Sequence, residues 1–243
     1  MLVLAKAPVP GRVKTRLCPP ATPAQAARIA SAALLDTLDA VLAAASALPV
    51  VPVVALHGEI ADVPGDTGGP ALAARLRGVT VLPQRGTTLG ARIAAAHADA
   101  AAATGTGPVL QIGMDTPQVD AALLGRCLDA LMADGVDAVL GPATDGGWWV
   151  LGVRDAATAR LIAEVPTSRA DTGPRSSAAL RAGGCRVRDL PELPDVDTWR
   201  DAVAVAAGAP HGRFAAAVLA ARSELAPATE PAAVADEPAR DAR

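Results

Sequence analysis

The chain has 243 residues, of which 51% are hydrophobic and only 2% aromatic, and its formal net charge is −3. This apolar content is enough for a sizeable core, which must be mainly aliphatic. The slightly acidic balance lacks the excess of cations that a general nucleic-acid binder needs. The three cysteines lie far apart in the sequence, which excludes a disulfide framework and a cysteine-based zinc site.

The sequence also argues against insertion into a membrane. No apolar stretch of about eighteen residues is free of polar breaks, which predicts no membrane span. The apolar residues at the start of the chain are too few for a signal peptide, and basic residues follow them instead of preceding them. We therefore expect reduced cysteines, as in cytosolic proteins.

Strand-like and helical patterns alternate along the chain. Short apolar runs predict strands over 1–4, 50–56, 79–83, 109–113, 137–141, 148–153 and 185–190. The first helix is predicted from Pro23, after an N-cap at Thr22, to Pro49. A later helix is predicted to begin in the 84–92 segment and to run through 103. The other helices are predicted over 72–76, 123–132, 155–163, 176–182, 198–206 and 211–225.

This alternation predicts an α/β fold with a mostly parallel sheet that is covered by helices on both faces. The sequence contains no internal repeat and no central linker, so residues 1–225 are expected to form a single domain. The Ala- and Pro-rich composition of residues 226–243 predicts a disordered tail.

A basic loop, residues 6–16, follows the first predicted strand. Its cations are Lys6, Arg12, Lys14 and Arg16. Pro8, Pro10 and Gly11 shape the backbone, which suits a loop that a ligand approaches closely. Cations beside free backbone N–H groups are typical of a polyphosphate site, whereas the alternative is a solvated basic turn.

Two acidic motifs also come directly after predicted strands, where open α/β sheets bind their ligands. Asp115 is held in Gly-Met-Asp-Thr-Pro and could bind Mg²⁺ or Mn²⁺; alternatively it caps a helix or forms a turn. Asp145 precedes Gly146 and Gly147, which leave room for a substrate, although Asp-Gly is also a common turn pair.

Two further features bear on the same predicted site. Trp148 and Trp149 are successive strand residues and should face opposite sides, so that one packs in the core while the other can line a pocket and stack on a sugar or base. In an extended segment Asp195 and Asp197 share one side, which allows a second metal ligand. The alternative is that Asp197 or Thr198 caps the next helix.

Together the motifs resemble those of a known family. They occupy residues 6–17, 84–92, 113–117, 141–147 and 195–198. Over about residues 1–205 the chain resembles the bacterial glycosyltransferase-like family of the GT-A superfamily, which is related to the phospholactate and molybdenum-cofactor guanylyltransferases. The implied fold is the nucleotide-diphospho-sugar transferase fold, a Rossmann-like three-layer α/β/α sandwich with a mixed sheet.

The resemblance also implies roles for particular residues. Those assigned to the nucleotide are Lys6, Gly11, Arg12, Lys14, Arg16, Gln84, Gly90 and Arg92. Asp115 would be the catalytic metal-binding acid and Asp197 a later metal ligand. Asp145, with Gly146, Gly147 and the tryptophan pair, would face the sugar or acceptor. Asp145 is the second predicted catalytic residue, which orients the acceptor or acts as a base.

The predicted function is therefore a metal-dependent transferase with a nucleotide-activated donor, Mg²⁺ or Mn²⁺ as cofactor, and a small-molecule acceptor. Glycosyl transfer from a nucleotide-diphospho-sugar is the first hypothesis. The alternatives are guanylyl or cytidylyl transfer from a nucleoside triphosphate to a small phosphorylated acid, and nucleotide binding without catalysis. The resemblance implies a cytoplasmic protein, the net charge of −3 argues against a nucleic-acid partner, and the sequence leaves a homodimer open.

Overall fold

A computed structural model describes residues 1–105 and 107–225, so the predicted tail over 226–243 lies outside the described residues. Its seven strands are β1 (Leu2–Lys6), β2 (Val53–His57), β3 (Thr80–Pro83), β4 (Val109–Gly113), β5 (Ala138–Pro142), β6 (Trp148–Val153) and β7 (Val187–Asp189). They form one sheet in the order β3-β2-β1-β4-β6-β5-β7. All seven predicted strands are therefore present, with end positions that differ by a few residues.

The sheet is parallel except for β6, which runs antiparallel to both β4 and β5. Only residues 143–147 connect β5 to β6. A link this short cannot cross over the sheet as a parallel connection must, so the two strands form a hairpin. This hairpin places the loop that contains Asp145 at the same edge as the carboxyl ends of the parallel strands.

The described residues also form seven helices. They are α1 (Pro23–Ala47), α2 (Gly69–Leu76), α3 (Leu89–Thr104), α4 (Ala121–Met132), α5 (Thr172–Ala182), α6 (Trp199–Gly208) and α7 (Arg213–Leu225). Helices α1, α2 and α4 pack on one face, while α3 and α5 pack on the other, which we call the α3 face. The predicted α/β/α sandwich is confirmed. The predicted helix over 155–163 is instead a run of 3-10 turns at Ala156–Ile162.

Helix α1 has apolar residues on two sides because it is covered twice. One side packs on the sheet, and the other packs on α6 and α7 around Ile29, Val205 and Phe214. Among the described residues, α1 is the one helix that is long and apolar enough to cross a membrane, but 67% of its most apolar window is buried inside the protein. Its N-terminus is fixed by a capping box between Thr22 and Gln25, as its Thr-Pro start predicts.

A buried histidine links α3 to the sheet and should make stability depend on pH. His97 is fully buried, and its Nε2 lies 2.9 Å from Gln111 Oε1 in β4. Burial lowers the pKa of His97 to about 4 from its usual 6.5. Because the unfolded chain binds this proton more tightly, the neutral histidine stabilises the fold fully above pH 6.5, and this stability is lost as the pH falls towards 4.

Because of the lowered pKa of His97, we expect the free energy of unfolding to fall by about 2 kcal/mol between pH 7 and pH 5. Urea unfolding at the two pH values measures this loss. His97→Gln should remove this part of the pH dependence, even if the variant is less stable at both pH values. The exposed His211→Gln is the matched control and should keep it. An unchanged pH dependence in His97→Gln would contradict the assignment.

Candidate functional site

A cavity of about 620 Å³ opens at the carboxyl ends of β1 and β4 and at the start of β6. Its walls come from the first turn of α3, from residues 165–172 before and at the start of α5, and from residues 195–201 before and at the start of α6. This is the edge at which parallel α/β sheets bind ligands. The two acidic motifs and the tryptophan pair all reach this cavity.

Three carboxylates converge at the mouth of the cavity. Asp145, Asp195 and Asp197 each offer an oxygen within 4.8 Å of the others, and we call them the carboxylate cluster. Backbone hydrogen bonds bring the two segments together: Leu193 N donates to Pro142 O at 3.1 Å, and Thr144 N donates to Leu193 O at 3.2 Å. Oxygen ligands at this spacing are the kind that Mg²⁺ and Mn²⁺ prefer.

The turn that carries Asp145 is tightly constrained. Asp145 Oδ1 accepts a hydrogen bond of 2.7 Å from Gly147 N, so the residue is both a turn aspartate and a member of the cluster. Gly146 has a φ of +89°, and a Cβ at this position would lie 2.0 Å from Ala170 O. The backbone of the turn therefore packs directly on the segment before α5, and only glycine fits there.

Gly146→Ala should lower the free energy of unfolding by about 3 kcal/mol, because it adds both backbone strain and overlap with a carbonyl group. Gly184→Ala is the matched control, since Gly184 has a φ of +88° but no atom within 4 Å of an added Cβ. This variant adds backbone strain alone, so its free energy of unfolding should fall by only about 1 kcal/mol. Equal losses in the two variants by urea unfolding would mean that the contact with Ala170 does not constrain the turn.

Lys14 lies next to the cluster and neutralises part of its charge. It adopts the left-handed conformation at φ 46°, and its side chain is only 10% exposed. Its Nζ lies 2.7 Å from Asp115 Oδ1 and 3.6 Å from Asp197 Oδ1, and it donates to Val196 O. Burial alone would lower the pKa of Lys14, but the neighbouring aspartates raise it above its usual value, so the ammonium group stays charged.

In the segment at 195–198, different residues contribute to the site and cap the next helix. Thr198 is the N-cap of α6 and forms a capping box with Asp201. Asp197 therefore remains available to the cluster, where its Oδ2 accepts from Arg16 Nη1 at 2.5 Å. The two interpretations of this motif, a candidate metal ligand and a helix N-cap, are therefore compatible, because Asp197 and Thr198 are adjacent residues.

The cluster carries more negative charge than its surroundings balance. Burial, together with repulsion from Asp145 and Asp197, raises the pKa of Asp195 to about 6. Five aspartates line the cavity: Asp115, Asp145, Asp195, Asp197 and Asp201. Among the described residues that line it, the only cations are Arg16 and Arg169. A polyphosphate could therefore enter only with additional positive charge.

The basic loop is divided in the structure. Lys6 and Arg12 are exposed, and Gly11 lies in the left-handed region at φ +74°. Of its cations only Arg16 lines the cavity, whereas Lys14 points at the aspartates. Contacts of this loop with nucleotide phosphates stay a prediction.

In the motif at residues 84–92, each residue that the resemblance assigns to the nucleotide also has a structural role. The Gln84 amide donates to Ala5 O at 2.7 Å and to Ala55 O at 2.9 Å, which ties β1 to β2. A Cβ on Gly90 would lie 2.3 Å from Ala163 O, so this glycine permits the close packing of α3, although it also borders the cavity. Arg92 Nε donates to Gly86 O at 3.1 Å. Their predicted contacts with the nucleotide remain untested.

The two tryptophans take different positions. Trp149 is only 2% exposed, and its Nε1 donates to Pro191 O at 2.9 Å. Trp148 is partly exposed and packs against the core of the α3 face. Both tryptophans line the cavity. Because Trp149 is buried, the partly exposed Trp148 is the one that can contact a substrate without a rearrangement of the core.

Sequence reasoning missed several polar residues of the cavity wall. Thr116 is 2% exposed, and its Oγ1 has no hydrogen-bond partner within residues 1–105 and 107–225. Gln111, in the middle of β4, and residues 167–170 also line the wall. Only the position of Thr116 beside Asp115 could have drawn attention to it.

Comparisons with known proteins agree with the fold. Residues 37–169 match a family described as "Uncharacterized protein conserved in bacteria (DUF2064)". No curated protein matches the sequence. A structure from Desulfovibrio desulfuricans G20, provisionally assigned as a nucleotide-diphospho-sugar transferase, is 24% identical, with 92% of this chain and 96% of that chain covered and a TM-score of 0.75.

Two more distant structures share the architecture. A nucleotidyl transferase from Methanothermobacter is 17% identical, with 88% of this chain and 97% of that chain covered and a TM-score of 0.52. The 4-diphosphocytidyl-2C-methyl-D-erythritol synthase of Anaerococcus prevotii is 9% identical, with 85% and 96% covered and a TM-score of 0.51. At these identities the likeness shows the nucleotide-diphospho-sugar transferase fold, as the sequence motifs imply.

Proposed function

The chain belongs to the bacterial DUF2064 family, and we propose that it is a metal-dependent transferase that uses a nucleotide-activated donor. The observation that carries this proposal is the carboxylate cluster at the mouth of a cavity at the carboxyl ends of the strands. The cavity wall has an excess of carboxylates, so a phosphorylated donor needs a divalent cation to bind there. The cluster and Asp115 supply oxygen ligands of the appropriate chemistry.

In this proposal Asp145, Asp195 and Asp197 hold Mg²⁺ or Mn²⁺. A bound divalent ion would neutralise the phosphates of the donor and of the departing nucleotide. Asp115 is a further candidate ligand, provided that it exchanges its ion pair with Lys14 for the metal. Arg16, which already contacts Asp197, lies where it can meet a phosphate oxygen, and the exposed Lys6 and Arg12 extend the positive surface.

Glycosyl transfer from a nucleotide-diphospho-sugar is the reaction we propose first. The Asp145 turn and the Trp148 ring border the same cavity, so they can position a sugar or an acceptor beside the cluster. Such a reaction works mainly by positioning and by charge neutralisation, which rigid strand ends provide. The proposed location is the cytoplasm, where nucleotide-activated donors would be available.

Nucleotidyl transfer is the second candidate, because a nucleotidyl transferase shares this fold and the same metal site would serve a triphosphate. The products separate the two reactions. Nucleotidyl transfer releases pyrophosphate, whereas glycosyl transfer releases a nucleoside diphosphate. A protein that only binds nucleotides would show binding without either product.

The test is a thermal-shift panel of nucleotides and nucleotide sugars, with and without Mg²⁺ or Mn²⁺. A ligand that binds the native state raises the midpoint of unfolding. We expect a metal-dependent shift with one nucleotide sugar, followed by release of its nucleoside diphosphate. A shift with a triphosphate alone would favour nucleotidyl transfer. The assignment of Asp115 fails if Asp115→Ala leaves the rate unchanged.

A further inference from the structure

The wall of the cavity includes apolar side chains as well as the carboxylate cluster. An apolar part of the wall is formed by Leu4, Ile93, Trp148, Ile162 and Val165, which we call the aliphatic chamber. These side chains belong to the core of the α3 face or pack against it. They come from β1, α3, β6 and the 3-10 segment with the residues after it, so the chamber is built by the fold and not by one flexible loop.

The chamber differs from the cluster in charge as well as in polarity. Of the cations of the basic loop only Arg16 lines the cavity, and it is already paired with Asp197. Arg169 borders the cavity, but its side chain is 57% exposed and is already paired with Asp171. The cavity wall as a whole carries five aspartates against Arg16 and Arg169, so an anionic acceptor would enter against an excess of negative charge.

An unpartnered polar atom in the same wall points to a bound ligand. Thr116 Oγ1 is buried and has no partner among the described residues, although the residue lines the cavity next to Asp115. Leaving a buried hydroxyl without a hydrogen bond costs about 1–3 kcal/mol, which a hydroxyl group of a substrate would recover. Gln111, 1% exposed, adds a second uncharged polar group to the wall.

We propose that the acceptor is an uncharged amphipathic alcohol, whose apolar body fills the aliphatic chamber while its hydroxyl group reaches Thr116 and the carboxylate cluster. This inference rests on the proposed glycosyl transfer. In the reaction the acceptor oxygen bonds to the anomeric carbon of the donor sugar, and the bond from that carbon to the phosphate oxygen breaks. The electron pair leaves with the nucleoside diphosphate, and the hydroxyl proton passes to an aspartate of the cavity wall that does not hold the metal.

Binding can be tested without turnover, by following the methyl resonances of Ile93 and Ile162 during titration with straight-chain alcohols and with their phosphate esters. We expect both resonances to shift with the alcohols, with an affinity that rises about fourfold for each added methylene until the chamber is full. The phosphate esters should cause no such shift. Equal or stronger shifts with the esters, or none with the alcohols, would overturn the proposal.

A kinetic test separates this inference from the proposed function. Release of nucleoside diphosphate without an acceptor measures use of the donor, and its stimulation by alcohols measures use of the acceptor. Ile93→Thr should weaken stimulation by long alcohols at least fourfold, when the stimulation is expressed relative to the release without an acceptor in the same variant. Ile29→Thr, in the core between α1 and α7, is the control for a buried Ile-to-Thr change. Donor use with polar or phosphorylated acceptors only would overturn the acceptor class and leave the transferase intact.

Discussion

Asp197→Asn should lower kcat/KM by about 10²- to 10³-fold and weaken the binding of Mg²⁺ or Mn²⁺, with little change in the fold. The substitution keeps the shape of the side chain and removes its charge. Asp197 contributes to the carboxylate cluster, accepts from Arg16 and lies 3.6 Å from Lys14. Its neighbour Thr198 caps α6 independently, so the helix should remain in place.

Steady-state kinetics and calorimetric titration with Mn²⁺ measure the two effects. Asp189→Asn is the matched control, because Asp189 is 68% exposed and pairs only with Arg181 among the described residues. We expect its rate to change by less than about twofold. Asp197 is a cleaner choice than Asp145, whose side chain also closes the 145–147 turn. Unchanged Mn²⁺ affinity and unchanged rate in Asp197→Asn would remove the cluster from the proposed site.

Much of the fold follows from local patterns in the sequence. The alternation of apolar runs with helical periodicity predicts the sandwich, and the Thr22-Pro23 start predicts the capped beginning of α1. The direction of β6 depends on pairing with β4 and β5, which the run 148–153 alone does not specify. The 3-10 turns at Ala156–Ile162 likewise have the same apolar spacing as a short helix.

The acidic residues of the site could be predicted because each follows a strand or lies in a short extended segment. Their partners could not. The charge pattern of the basic loop predicts Lys14 as a phosphate ligand, which stays a prediction. It gives no sign of the ion pairs of Lys14 with Asp115 and Asp197, which are distant in sequence. The aliphatic chamber could not be predicted either. In the sequence its residues have the pattern of ordinary core positions, and only the fold shows that they border a cavity.

Lys14→Met should destabilise the protein and make its stability depend strongly on divalent cations. Removing one member of a buried ion pair costs about 3–5 kcal/mol, but the side chain of Asp115 is 43% exposed and solvent screens part of the charge. We therefore expect a loss of about 2 kcal/mol. Asp197 would keep its ion pair with Arg16, whereas Asp115 would lose its ion pair with Lys14, so Mg²⁺ should stabilise the variant more than it stabilises the wild type.

Urea unfolding with and without saturating Mg²⁺ measures this difference directly. Arg126→Met removes an exposed cation from α4 and should change stability by less than about 0.5 kcal/mol, with or without Mg²⁺. If Lys14→Met matched the wild type in stability and in its response to Mg²⁺, Lys14 would not be the group that balances the cluster. A larger response in the variant would mean that the ammonium group and the metal neutralise the same carboxylates, so metal binding in the wild type must displace Lys14 from at least one of them.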